Sequence, residues 1–209
     1  VGVDLLVCVA TEAEGALLRP RVEVLVTGVG AVNAAHSLTR FLERRGAAAI
    51  LACGVGGAYP GTGLAVGDVL CAESEHYGDL GADSPAGFLD LRALGLPLIA
   101  GPDLGGPIGP LYNLLPMQLF PTARRAPFVT VNTATGRDAA ARDIAARTGG
   151  AVESMEGAAI AHVAHLYGLP VGEVRGISNL AGDRDRSTWR VAEAARAAQE
   201  AVLAWLERR

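Results

Sequence analysis

Acidic residues in apolar surroundings are the first sign of chemistry in this chain. Glu153 and Glu156 stand in Ala151-Val152-Glu153-Ser154-Met155-Glu156-Gly157-Ala158, where an apolar strand is predicted to run into an apolar helix ending near Tyr167. Small and aliphatic residues follow with few charges, so the pattern predicts a helix buried all round rather than amphipathic. A buried carboxylate is costly unless it is paired, hydrogen-bonded or used. Two readings fit Glu156. It caps the first turn, where an acid favours the helix dipole, or it holds the neighbouring hydroxyls of a polyol such as ribose. Glu12 and Glu14 follow the apolar run 3–10 in Thr11-Glu12-Ala13-Glu14-Gly15. Taken singly, each fits an exposed loop or helix start. At the C-terminal end of a buried strand, where open α/β sheets bind ligands, both become candidates.

Other polar groups also collect after apolar strands. Gly28-Val29-Gly30-Ala31-Val32-Asn33 opens a helix reaching about Arg45, and Gly54-Val55-Gly56-Gly57 follows the run 47–53 as either a plain turn or a backbone-lined pocket wall. Arg175-Gly176-Ile177-Ser178-Asn179 closes the strand 170–178, with Asp183 just beyond. The glycines do not make a dinucleotide fingerprint, because the third one is missing, and no ATPase-type phosphate loop occurs. His76 has no second imidazole at metal spacing, and Cys8, Cys53 and Cys71 form no ligand pattern, so neither a metal nor a cofactor is expected. The cysteines read as reduced core residues.

The elements that must position these groups alternate between strand and helix. Strands are expected at 3–10, 21–27, 47–53, 67–79, 127–132 and 170–178, with helices at 28–45, 137–148 and 187–207. Trp189 and Trp205 fall on the last helix at packing positions. Residues 80–126, rich in Gly and Pro, read as an extended loop with a short strand at 96–100; Gly101-Pro102, Gly106-Pro107 and Gly109-Pro110 break any longer element. Its Tyr112, Leu114, Leu115, Met117, Leu119 and Phe120 are too apolar for disorder, so a cover over the pocket or a subunit contact is expected. Residues 1–209 are read as one domain.

Composition narrows the partners. Half of the 209 residues are hydrophobic, yet no run approaches the roughly 18–20 apolar residues of a membrane span. The first residues lack the basic start and cleavage site of a signal peptide, so a cytoplasmic protein with no membrane partner is expected. The net charge of -4, with dispersed arginines and no basic stripe, argues against nucleic acid and for a small-molecule site.

Four motifs in order resemble the purine nucleoside phosphorylase and nucleosidase superfamily, in its methylthioadenosine/S-adenosylhomocysteine nucleosidase branch. They are Ala10-Thr11-Glu12-Ala13-Glu14, Thr27-Gly28-Val29-Gly30-Ala31-Val32-Asn33, the Gly54 cluster followed by Gly67-Asp68-Val69, and Val152-Glu153-Ser154-Met155-Glu156 joined to Arg175-Gly176-Ile177-Ser178-Asn179. The resemblance is weakest between 80 and 126. It implies an α/β fold with a twisted, mixed central sheet, partly barrel-like and flanked by helices, assembled as a homo-oligomer of dimers or larger. The substrate it implies is a purine nucleoside, with water as the second reactant. Carried over by residue, Glu156 binds the ribose 2′ and 3′ hydroxyls, Met155 lies under the sugar, Glu153 sits beside sugar and base, and Glu14 directs the attacking water.

In that branch an acid protonates the departing adenine at N7; here the position is Asn179. A 6-oxopurine offers acceptors at N7 and O6, which an amide can donate to and an ionised carboxylate would repel. Glu153 to Gly157 together with Arg175 to Asn179 is most similar to the futalosine hydrolase family, which releases hypoxanthine from futalosine in menaquinone formation. A carboxylated extension beyond the 5′ end of such a substrate suits a cover built from 80–126, with Arg92, Arg124 or Arg125 as its partner. The alternative is an adenine-releasing nucleosidase acting on methylthioadenosine, S-adenosylhomocysteine or aminodeoxyfutalosine, against which Asn179 stands. A phosphorylase would need an anion site, yet Val55 stands where a hydroxyl is expected. A binder without catalysis is disfavoured by the presence of both Glu14 and Glu156.

Overall fold

Apolar runs become inner strands because helices cover the sheet on both faces. In a computed structural model describing residues 2–100 and 110–208, the first run forms β1 (Leu6–Val9), buried throughout. It leads into one turn of helix, α1 (Glu12–Gly15), then β2 (Glu23–Val26) and α2 (Ala31–Arg44). Next come β3 (Ile50–Ala58), β4 (Val69–Tyr77), the short β5 (Gly81–Ala82) and β6 (Leu89–Asp90), β7 (Leu114–Pro116) and β8 (Arg125–Thr130). The chain finishes with α3 (Asp138–Thr148), β9 (Val152–Ser154), α4 (Gly157–Leu166), β10 (Val171–Leu180) and α5 (Val191–Leu206). No helix among the described residues is long and apolar enough to cross a membrane.

The main sheet is mixed. β3 runs parallel to β1 and β10 but antiparallel to β9, while β4 runs parallel to β8 and antiparallel to β10. Because β3 bonds to both β9 and β10, the path β10, β4, β8, β9, β3 closes into a small barrel, with β1 and β2 as an open flank. Alternate side chains of one strand reach opposite layers. Leu6, Cys8, Ile50 and Ala52 join the α2 and α4 side with Leu38, Ile160 and Phe128, whereas Val7, Leu51 and Val174 pack under α5 with Ala198 and Val202. Each fully buried Leu, Ile or Phe contributes about 1.5–3 kcal/mol, so both layers are needed to hold the strands that carry the site.

Several expectations about elements need correction. β3 does not stop at Cys53 but runs through the glycine cluster to Ala58, and β10 runs on through Asn179 to Leu180. The segment 80–126 is not one long loop: β7 pairs with β4, and Leu115 and Met117 are buried in the core. The expected strand at 96–100 is reduced to a single antiparallel bridge between Ile99 and Leu111. Gly101-Pro102, Gly106-Pro107 and Gly109 lie outside the described residues. Trp189 precedes α5 instead of packing from it, because Asp185 accepts from Ser187 N–H and sets a short 3-10 turn (Arg186–Thr188) before the helix begins.

Candidate active site

Around the ends of β1, β3, β9 and β10 opens a cavity of about 510 Å³, whose lining includes Glu14, Glu153, Met155, Glu156, Arg175 and Asn179. Each acid is held by donors from a different element. Glu14 is buried on α1; its Oε2 accepts from Thr11 N–H at 3.0 Å and Thr11 Oγ1 at 2.8 Å. Its Oε1 accepts from the peptide N–H of Val55, on β3, at 3.1 Å. The approach depends on Gly54, since a Cβ there would lie 2.5 Å from Glu14 Oε1 and 2.6 Å from Arg175 Nη1. Gly54 is therefore a strand residue that gives its side-chain space to two charged groups.

Glu156 stands at the N-cap of α4, but its side chain makes no cap bond with its own helix. It reaches instead to α2, where Oε1 accepts from Gly30 N–H at 2.9 Å. Gly30 is the N-cap of α2 with φ of 93°, in the left-handed region that glycine adopts freely. Oε2 of Glu156 lies 3.5 Å from Arg175 Nη2. Glu156 thus stands at the N-cap, as the capping reading expects, while its carboxylate is turned towards α2 and the cavity, where the polyol reading needs it.

Arg175, on β10, has a side chain only 3% exposed. Its Nε donates to Glu173 Oε1 at 2.6 Å and its Nη1 to Val55 O at 3.2 Å. Burial works against its charge, but Glu173, Glu156 and Glu14 outweigh that and hold its pKa above the ordinary arginine value. It stays a cation.

Register places the remaining groups in a row. Gly57 of β3 pairs with Glu153 of β9 on one side and with Asn179 of β10 on the other, where a bulge between Ile177 and Asn179 shifts the ladder. Both oxygens of Glu153 are occupied: Oε2 accepts from Tyr59 Oη at 2.8 Å and from Thr135 Oγ1, and Oε1 from Thr135 N–H at 2.8 Å. Asn179 Oδ1 accepts from Ser178 Oγ at 2.8 Å, and Nδ2 donates one hydrogen to Leu180 O at 3.0 Å. The second hydrogen of that amide has no bond among the described residues.

Other sequence candidates lie elsewhere. Glu12 faces solvent and pairs with Arg19. Asp183 exchanges bonds with Asp138 at the start of α3, each accepting from the other's N–H at 3.0 Å, so it behaves as a loop carboxylate. Arg92 covers Tyr112, Arg125 covers Phe120, and Arg124 pairs with Asp68 at 2.6 Å. None of the described residues between 80 and 126 lines the cavity, so the expected cover is not seen among them; besides the buried Arg175, the cavity is lined by Arg184, 4.9 Å over the ring of Trp189. Sequence reading missed Arg184 and Trp189 as cavity residues, and assigned no role to Glu173 and Arg175. A Glu and an Arg two apart in an otherwise apolar strand share one face, which was the available signal.

Among the described residues no cluster of His, Cys, Asp and Glu could hold a metal ion. The sequence profile of the phosphorylase superfamily matches residues 12–208. The futalosine hydrolase of Acidothermus cellulolyticus is 38% identical over 192 residues, covering 87% of this chain and 74% of the relative. That of Thermus thermophilus is 35% identical over 186 residues, covering 85% and 78%. Among solved structures, the 5′-methylthioadenosine/S-adenosylhomocysteine nucleosidase of Colwellia psychrerythraea, with adenine, has a TM-score of 0.78 at 19% identity over 99% of this chain and 96% of that one. The Streptococcus pneumoniae nucleosidase, with a transition-state inhibitor, has a TM-score of 0.78 at 22% identity over 98% of each chain. At these identities the structural likeness speaks for the fold.

Proposed function

The chain belongs to the phosphorylase superfamily and, within it, to the futalosine hydrolases, and from that premise we propose that it hydrolyses the N-glycosidic bond of futalosine to release hypoxanthine. One observation carries the assignment of roles: Glu14, Glu156 and Asn179 border one cavity. As the C1′ to N9 bond lengthens, positive charge grows on the sugar and negative charge on the base. Glu156 grips the 2′ and 3′ hydroxyls with the lone pairs left after Gly30 and Arg175 are served. Glu14, fixed at both oxygens, takes a proton from water and aims it at C1′. Met155 packs under the sugar, and Glu153 holds Tyr59 and Thr135 beside sugar and base.

The spare N–H of Asn179 donates to the oxopurine, stabilising the charge that develops on it. Because Arg175 is buried and tied to Glu173 and Glu156, it offers no open anion site, which favours water over phosphate as the nucleophile. The homo-oligomer expected of this superfamily is part of the same proposal.

The deciding experiment supplies futalosine, aminodeoxyfutalosine, methylthioadenosine and inosine separately, without phosphate, and identifies free bases by chromatography. Hypoxanthine from futalosine at the highest kcat/KM is expected; adenine as the preferred product would overturn the choice of substrate. Asn179→Asp is expected to move the ratio of kcat/KM towards the aminopurine by about tenfold or more, because a protonated acid both donates to N7 and accepts from the amine. An unchanged ratio would remove Asn179 from base selection.

A further inference from the structure

Behind the cavity lies a pair of acids that the reaction above leaves unused. Glu75 of β4 and Glu173 of β10 are each 0% exposed. Their side chains meet beside Gly157, the first residue of α4, where a Cβ would be driven into both Glu75 Oε1 and Glu173 Oε2. Neither of those two oxygens has a hydrogen-bond partner among the described residues. The remaining oxygens are used: Glu75 Oε2 accepts from Thr130 Oγ1 at 3.0 Å, and Glu173 Oε1 accepts from Arg175 Nε at 2.6 Å.

Two ionised carboxylates facing each other in a buried space repel strongly, whereas one proton between them makes a charge-assisted hydrogen bond. Arg175 decides which acid keeps the charge, because its guanidinium lies against Glu173. Burial first, then the charge and hydrogen bond of Glu173, push Glu75 well above the ordinary carboxylate range; Thr130 and Arg175 offset only part of this.

We propose that Glu75 is a neutral acid donating its proton to Glu173, and that this pair fixes Arg175 so that Arg175 orients Glu156 and Glu14. Both are positioning residues, and the inference rests on the hydrolase reading for its kinetic consequences only. The order of contacts runs Thr130, Glu75, Glu173, Arg175, Glu156, from the far side of the barrel to the sugar site. With Glu75 neutral, the cluster holds the carboxylates of Glu14, Glu156 and Glu173 against one guanidinium. Its excess negative charge faces the sugar where positive charge develops.

The other titratable groups around the pair are Tyr59, Tyr77, Cys53 and Cys71. Burial raises each of them, Cys53 to about 12. They stay neutral in the fold, and His76, His162 and His165, which burial lowers, are common to the wild-type protein and a Glu75 variant, so a difference between the two reports Glu75.

The sign follows from that difference. A carboxyl raised in the fold contributes stability present below the ordinary value of about 4.3 and lost as pH rises through the raised one. Glu75→Gln has no proton to lose, so its melting temperature minus that of the wild-type protein is expected to climb as pH rises from about 4.5 to 9. In the futalosine assay, Glu75→Leu is expected to lower kcat about tenfold or more, with Glu75→Gln recovering most of that loss, and Glu173→Gln to lower kcat about a hundredfold with a smaller change in KM. A melting difference flat with pH, a Gln variant no better than Leu at 75, or a wild-type kcat in Glu173→Gln would overturn the proposal. Should the wild-type protein release no base at all, the hydrolase reading fails, and the pH dependence of melting still decides the state of Glu75.

Discussion

Glu14→Gln is expected to lower kcat on the order of 10³-fold, with KM moving far less. The reason lies in the donors around the side chain. Thr11 N–H bonds one oxygen and Val55 N–H the other. A glutamine can satisfy only one of them, because its amino group must face an N–H donor in either orientation. On the proposed mechanism the variant loses both the base for water and the fixed aim of the side chain, and a stability loss of about 1–3 kcal/mol accompanies the clash. Steady-state kinetics on futalosine alongside a denaturant melt test this. A kcat within threefold of wild type would take Glu14 out of the chemistry.

The second large effect is on stability. Arg175→Met removes the single guanidinium that Glu173 and Glu156 both contact, and it leaves buried carboxylates unpaired. Removing one partner of a buried pair typically costs about 3–5 kcal/mol, so urea unfolding should show a loss of that order, with activity falling as Glu156 and Glu14 lose their alignment. Arg175→Lys should recover less than half of the stability. Lysine has no planar fork with which to reach Glu173, Glu156 and Val55 O in three fixed directions. A Met variant as stable as wild type would show that the cluster is not held by this cation.

Much of this arrangement was legible in the chain because burial leaves a plain pattern. A continuous apolar run marked β1, and the all-round apolar stretch after Glu156 became α4, buried from Gly157 to Ala161. Carboxylates at the ends of such runs pointed to Glu14 and Glu156. Glycine misled the reading of β3, since Gly54 to Gly57 looks like a turn by local preference. The ladders that make those positions strand come from β9 and β10, distant in sequence, and Glu14, Arg175 and Asn179 fill the space that side chains would take at Gly54 and Gly57. Glu75 was similarly hidden: in Glu73-Ser74-Glu75-His76 it looks like part of an exposed polar end, and only the closure of the barrel buries it. Trp189 was assigned to α5 by spacing that does not register the turn set by Asp185.

Val55 and Gly30 grip Glu14 and Glu156 through peptide N–H groups alone. Every amino acid except proline brings that donor with it, so the side chain at 55 can drift between relatives while the hold on Glu14 persists. Invariance at that position is then a poor guide to its importance, and a proline scan would expose what alanine scanning overlooks.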